Sequence, residues 1–178
     1  SNAFLKAEGL NLGDKNEELL AKEGNDENYK EIRQLLSKYK ENIFLPTDFA
    51  EKSNTDRNEI DINKLPTEYN LFDIDEKSIK NYKEILSGAK TIFLSGPCGV
   101  FENPEFMKGT KEIFTHVANS DVFSIVGGGH TVAAVEQLGL DGKMSHISTG
   151  GGSLEKFMMG EKLPVVEALK QAKIKFSN

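Results

Sequence analysis

The chain has one cysteine, no tryptophan, two arginines and no long apolar run. Each shortage excludes something. A lone Cys98 rules out an internal disulfide framework and a thiolate zinc cluster, and it fits a reducing, cytoplasmic setting. The two arginines, Arg33 and Arg57, lie in different segments of a chain with a net charge of −6. A nucleic-acid groove needs clustered cations, so no nucleic-acid partner is expected. The lysines alternate with Glu, Asp and Asn, as on a solvated surface. No apolar stretch approaches the ~20 residues of a membrane span, and no signal peptide is visible, so no membrane partner is expected either. At 178 residues and 38% hydrophobic content the chain can bury one ordinary core. Ser1-Asn2-Ala3 resembles a cloning scar, so the domain is expected to begin at Phe4 with its natural N-terminal edge cut away.

What is present has a rhythm. Residues 4–42 read as mostly helical, with interruptions at Gly9, Gly13 and Gly24. Tyr29, Ile32, Leu35, Leu36 and Tyr39 recur on one helical face. Asn42-Ile43-Phe44-Leu45, stopped by Pro46, suits a short buried strand. Residues 50–70 are rich in Asn, Asp, Lys and Glu. They read as an exposed excursion with one edge strand at Glu59-Ile60-Asp61-Ile62. A helix over 78–86 buries Ile79, Tyr82, Ile85 and Leu86. From residue 91 strands and helices alternate. Strands are expected at 91–94, 122–126 and 144–148. Helices are expected at 105–117, with Phe106, Ile113, Phe114 and Val117 inward, and at 131–138, with Val132, Val135 and Leu138 inward. Ser153 can cap a further short helix, and Pro164 suits the first turn of a last one. This alternation predicts an α/β fold with a mostly parallel sheet covered on both faces, in three layers.

Each of those strands runs into glycine: Ser95-Gly96-Pro97-Cys98-Gly99, Gly127-Gly128-Gly129 and Gly150-Gly151-Gly152. Ligands in open parallel sheets sit outside the carboxyl ends of the strands, so the three turns should share one rim. Glycine lets a ligand approach the backbone closely. Helices starting behind the turns aim free N–H groups at that rim, which favours phosphate or another anion. A single glycine turn in an α/β protein is more often packing than ligand binding; three on one rim favour a ligand. No G-x-x-x-x-G-K-[ST] is present, and Gly127-x-Gly129-x-x-Val132 lacks the third small residue of a dinucleotide fingerprint. Those gaps disfavour a P-loop protein and an NAD-binding dehydrogenase. Cys98 has no assignable His, Asn or Asp partner and reads as a small residue under its turn rather than a nucleophile. His116 and His146 read as structural, whereas His130 stands where a rim ligand would meet it.

Three long stretches, SGPCGVFENPEFMKGTKEI, FSIVGGGHTVAAVEQLGL and KMSHISTGGGSLEKFMMGEKLP, resemble the C-terminal half of phosphoglycerate kinase in order and spacing. FLPTDFAEK (44–52) and FLKAEGLNLGD (4–14) extend the resemblance over nearly the whole chain. It implies that residues 4–178 are part of a Rossmann-like C-terminal nucleotide-binding domain, N-terminally truncated. The parent would be a monomeric, cytoplasmic glycolytic and gluconeogenic kinase. It would transfer a phosphoryl group between 1,3-bisphosphoglycerate and ADP, with Mg²⁺ carried on ADP or ATP. The phosphoglycerate would be held by an N-terminal domain absent from this chain. Residue by residue, the resemblance assigns Ser95, Gly96 and Pro97 to the turn beside the nucleotide, where most relatives have Asn in place of Ser95. It assigns Glu102 to the ribose hydroxyls, and Leu71 and Phe72, with Ile74, to a loosely matching adenine wall. Gly127, Gly128, Gly129 and Thr131 fall at the nucleotide phosphates, and Gly150, Gly151 and Gly152 at the transferred phosphoryl group.

Two departures bear on activity. His130 stands where most relatives place an Asp that serves the magnesium, a difference the resemblance shares with archaeal members. Histidine is a poor Mg²⁺ ligand, so either phosphates and water hold the metal or this branch handles it differently. The lysines that contact the phosphates are missing along with the first strands of the domain. Phosphoryl transfer depends on positioning and charge neutralisation, so the chain alone is expected to bind nucleotide at most weakly and not to turn over. The alternative is a standalone adenine-nucleotide-binding module without transferase activity.

Overall fold

The computed structural model describes residues 1–23, 26–54 and 56–176. The chain divides into two units, Ser1–Ile85 with Cys98–Ile113, and Leu86–Pro97 with Phe114–Asn178.

The first unit opens with three helices, α1 (Asn2–Ala7), α2 (Asp14–Glu23) and α3 (Asp26–Tyr39). The first two breaks fall at Gly9 and Gly13, as the sequence predicts; the third expected break, Gly24, lies outside the described residues. The buried stripe of α3 is narrower than its periodicity suggests. Tyr29 and Leu36 are buried with Ala7 of α1, while Leu35 and Tyr39 are exposed. One short helix covers only part of an apolar face. The expected strand over 42–45 is not formed. Ile43 and Leu45 pack onto the α1–α3 cluster, whereas Phe44 is exposed and its carbonyl accepts the Tyr82 hydroxyl at 3.0 Å. The segment alternates in and out without a ladder partner.

The region read as an exposed excursion is a sheet. Strands β1 (Asp48–Ser53), β2 (Asp56–Asp61) and β3 (Asn70–Ile74) pair antiparallel in the order β2-β1-β3. The predicted edge strand exists as β2, but the central strand β1 escaped the sequence reading because charged residues are buried in it. Asp48 is buried because it receives the Lys77 and Ser78 amides, at 2.7 and 2.8 Å, at the start of α4 (Glu76–Ser87). Buried Glu51 accepts the Thr67 hydroxyl. Burying an ionisable group is tolerated where hydrogen bonds replace water. Asn16 ties α2 to β3, donating to the Tyr69 carbonyl and accepting the Leu71 amide, each at 2.9 Å. Leu5, Leu12, Leu20 and Phe49 form the core beneath this sheet. In α4, Ile79 is buried as predicted, while Ile85 reaches the surface.

An ion network closes the first unit. Asp75, 1% exposed, sits 2.8 Å from Arg57 of β2 and 3.1 Å from Lys108. Lys108 begins α5 (Lys108–Ala118). Burial opposes ionisation of Asp75, but the hydrogen bonds from Arg57 and Lys108 outweigh it and hold its pKa below the ordinary carboxylate value. The helix expected at 105–117 is divided, a 3-10 turn at Pro104–Phe106 preceding α5. Its four predicted inward residues, Phe106, Ile113, Phe114 and Val117, are all buried.

The second unit carries the parallel sheet. Strands β4 (Thr91–Ser95), β5 (Phe123–Gly127) and β6 (His146–Ile147) run in the order β4-β5-β6. Thus the expectation of one mostly parallel sheet is corrected to two three-stranded sheets, one parallel and one antiparallel. β6 is also shorter than the predicted 144–148. Helices α6 (Gly129–Gln137) and α7 (Gly151–Met158) pack on β5, and α8 (Pro164–Phe176) begins at its proline as expected. Ser153 does not cap α7. The helix starts two residues earlier, with Gly150 at the N-cap and no side-chain capping bond. No helix among the described residues is long and apolar enough to cross a membrane.

Candidate functional site

The parallel register sets the rim in the second unit. Ser95 pairs with Gly127 at the ends of β4 and β5, and the Ser148 amide bonds to the Val126 carbonyl at 2.9 Å as β6 ends. All three strands therefore finish level, and each enters a glycine turn. The first two turns are joined by Thr131, a 1% exposed residue in the first turn of α6. Its Oγ1 accepts the Gly96 amide at 2.6 Å.

The triplets are helix starts rather than loops. Gly128 is the N-cap of α6 with φ +90°, a conformation a residue with a Cβ rarely adopts. Gly150 is the N-cap of α7. The two triplets also touch. A Cβ on Gly151 would stand 3.0 Å from the Gly128 Cα and 3.1 Å from its nitrogen. Two helix N-termini, each with first-turn amides lacking intrahelical partners, thus meet backbone to backbone. Two partial positive charges converge there. Ser95, Gly96, Gly129, His130, Gly150 and Gly152 are exposed, Pro97, Gly128 and Gly151 are half-buried, and Gly127 is buried. The arrangement can receive an anion on backbone N–H groups.

The remaining residues singled out by sequence lie in the first unit. Leu71 and Phe72 point to opposite faces of β3, as neighbours in a strand must. Leu71 packs against the core of Leu5, Leu12, Leu20 and Phe49. Phe72 stacks edge-on against Phe106, ring centroids 5.2 Å apart. Both are half-buried. Glu102 is exposed, in a tight turn closed by the Asn103 amide donating to the Val100 carbonyl at 3.0 Å.

Other candidates resolve simply. Burial, with the Asp73 charge nearby, pushes the Cys98 thiol up to about 12, so no nucleophilic thiolate forms there at neutral pH. His116 lies 3.2 Å from the Ser87 hydroxyl in α5. Exposed His146 lies in β6. Among the described residues no three His, Cys, Asp or Glu side chains gather as a metal cage. The sequence reading passed over Asp73 and Asp75. Two carboxylates in the otherwise apolar run Leu71-Phe72-Asp73-Ile74-Asp75, at and just past the end of β3, were the available signal.

Fold and rim together define an open parallel α/β unit of the class that seats ligands where its strands end. The phosphoglycerate kinase family profile matches residues 1–161, and the chain belongs to that family. It is 45% identical over 174 residues to the phosphoglycerate kinase of Methanococcus maripaludis, covering 97% of this chain and 42% of that protein. It is 43% identical over 178 residues to that of Thermoplasma acidophilum, covering 97% and 43%. The crystal structure of phosphoglycerate kinase from Pyrococcus horikoshii superposes with a TM-score of 0.88 at 40% identity, covering 98% of this chain and 44% of that one. These relatives are archaeal. The chain spans less than half the length of each.

Proposed function

We propose that the chain is the nucleotide-binding part of a phosphoglycerate kinase, corresponding to its C-terminal domain. The whole protein would transfer a phosphoryl group reversibly between 1,3-bisphosphoglycerate and ADP. The observation that carries this reading is the contact of Gly151 with Gly128 at the ends of the parallel strands. It supports the reading because two helix N-termini of a family member would face one anion there. In this reading Gly127, Gly128, Gly129 and Thr131 hold the nucleotide phosphates, with Ser95, Gly96 and Pro97 beside them. Gly150, Gly151 and Gly152 hold the phosphoryl group in transfer. On the resemblance alone, Glu102 takes the ribose hydroxyls, and Leu71 and Phe72 the adenine.

Magnesium enters as part of the substrate nucleotide. The described residues offer no carboxylate cage, and His130 at the start of α6 supplies nitrogen where a hard cation takes oxygen. In this reading phosphate oxygens and water would hold the metal, and His130 would donate to a phosphate oxygen. The backbone amides orient the phosphates and offset their charge, which is what this chemistry asks of a protein.

A coupled assay separates the whole protein from the part. The full-length protein is expected to form ADP from ATP and 3-phosphoglycerate, while this chain binds ATP and forms none. Turnover by the chain alone at a rate near that of the full-length protein would contradict the division of labour. A full-length protein that binds ATP and transfers nothing would establish a nucleotide-binding module instead.

A further inference from the structure

Asp73 is wedged between two glycines. It is 4% exposed, in β3. Its Oδ2 accepts the Gly109 amide at 2.8 Å, in the first turn of α5, and its Oδ1 accepts the Ile74 amide at 2.9 Å. A Cβ on Gly99 or on Gly109 would fall only 2.4 Å from Oδ1. Gly99 belongs to a segment hung on three points. The Cys98 amide donates to Thr110 Oγ1 at 3.0 Å, Gly99 lies against the Asp73 carboxylate, and the Val100 amide donates to the Phe72 carbonyl at 2.8 Å. Immediately after the third point comes the tight turn at 100–103 that presents Glu102 to solvent. Buried Phe101 roots that turn.

We propose that Asp73 is a positioning residue for Glu102: by fixing Gly99 against the start of α5, its carboxylate sets where the 100–103 turn holds the Glu102 side chain, and so sets how strongly the protein prefers a ribose bearing its hydroxyls. This rests on the reading that Glu102 meets the ribose. Two backbone amides and two glycines are committed to one buried carboxylate, although an apolar side chain would fill a strand interior at lower cost. Thr110 and the Phe72 carbonyl already anchor the segment on either side. What the carboxylate adds is a fixed distance between Gly99 and Gly109.

Burial raises the Asp73 pKa to about 6, against the pull of the Gly109 and Ile74 amides. Arg57 of β2, Asp75 just past the end of β3 and the Cys98 thiol are the ionisable groups that act on it, and Lys108 at the start of α5 pairs with Asp75. Protonation turns one accepting oxygen into a donor facing an amide N–H, so the clamp weakens as pH falls through about 6.

The test is titration of the chain with ATP and with 2′,3′-dideoxy-ATP, which differ only in the ribose hydroxyls. The wild type should prefer ATP by roughly 10-fold, the yield of hydrogen bonds to a charged acceptor. Glu102→Ala should bring that ratio near one. Asp73→Asn, which sets an amide donor against a backbone donor, should lower the ratio to less than about 3-fold while leaving dideoxy-ATP affinity unchanged. The double variant should be no lower than Glu102→Ala. In the unmodified chain the ratio should decline below pH 6, and the Glu102→Ala ratio should stay flat. This readout stands even if Asp73→Asn fails to fold. A ratio kept by Asp73→Asn and constant with pH, beside a Glu102→Ala ratio near one, overturns the positioning role alone. A ratio unchanged by Glu102→Ala, or no ATP binding by the chain, overturns the ribose reading and this proposal with it.

Discussion

Gly151→Val should weaken binding of Mg-ADP to the chain by about 10- to 100-fold, the loss expected when one or two backbone bonds to a charged phosphate are removed. The cause is the close approach of the triplets. A Cβ at residue 151 meets the Gly128 Cα at 3.0 Å and its nitrogen at 3.1 Å, and both neighbours are backbone. A flexible side chain could swing aside, but here a whole turn must move. Gly128 is held at φ +90° as the N-cap of α6, so pushing it tilts the amides that would face the phosphates. Calorimetric titration gives the affinity, and Gly142→Ala is the control. Gly142 has nothing within 4 Å of its would-be Cβ and lies outside the rim. It should bind as the unmodified chain does. Equal affinity for Gly151→Val and the unmodified chain would mean that the contact between the triplets has no part in the site.

The largest expected loss of stability comes from the first unit. Gly13→Ala should destabilise the chain by about 3–5 kcal/mol, combining backbone strain with overpacking. Gly13 precedes α2 at φ +93°, and its would-be Cβ overlaps the Thr67 carbonyl oxygen at 1.8 Å. The turn cannot simply rotate away. The Gly13 amide donates to Asn11 Oδ1 at 2.9 Å, and its carbonyl accepts the Asn16 and Glu17 amides at 3.0 Å. Gly9 separates the two causes. Its φ is +97°, but nothing lies within 4 Å of its would-be Cβ. Gly9→Ala should therefore cost only the conformational part, about 1 kcal/mol. Urea unfolding of the two variants measures the difference. Equal losses would show that φ alone matters and that α2 does not seat against Thr67 this closely.

The parallel half of the fold was legible because its strands are apolar and its turns are glycine, so periodicity and punctuation agreed over residues 91–164. The antiparallel sheet was not. In β1 the order Asp48-Phe49-Ala50-Glu51 is buried throughout, and a pattern of alternating polarity cannot reveal a strand whose charges are answered by distant groups. Asp48 is satisfied by α4 and Glu51 by Thr67; neither partner is visible in the local sequence. The opposite error, a strand read into Ile43-Phe44-Leu45, came from three apolar residues that pack without pairing. At the rim, the glycines and Thr131 could be named from sequence and family resemblance. The touch of Gly151 on Gly128 and the wedge of Asp73 between Gly99 and Gly109 join residues 23 or more apart in the chain. Such approaches leave only a glycine or a misplaced carboxylate as their trace.

The central claim is that the two glycine triplets together receive the phosphates of an adenine nucleotide. Backbone amide NMR of the chain titrated with Mg-ADP tests it most directly. Saturable shifts should appear first at the amides of Gly96, at residues 127–131 and at residues 150–152, and Gly151→Val should remove both groups together. Shifts confined to other segments, or one triplet responding without the other, would contradict it.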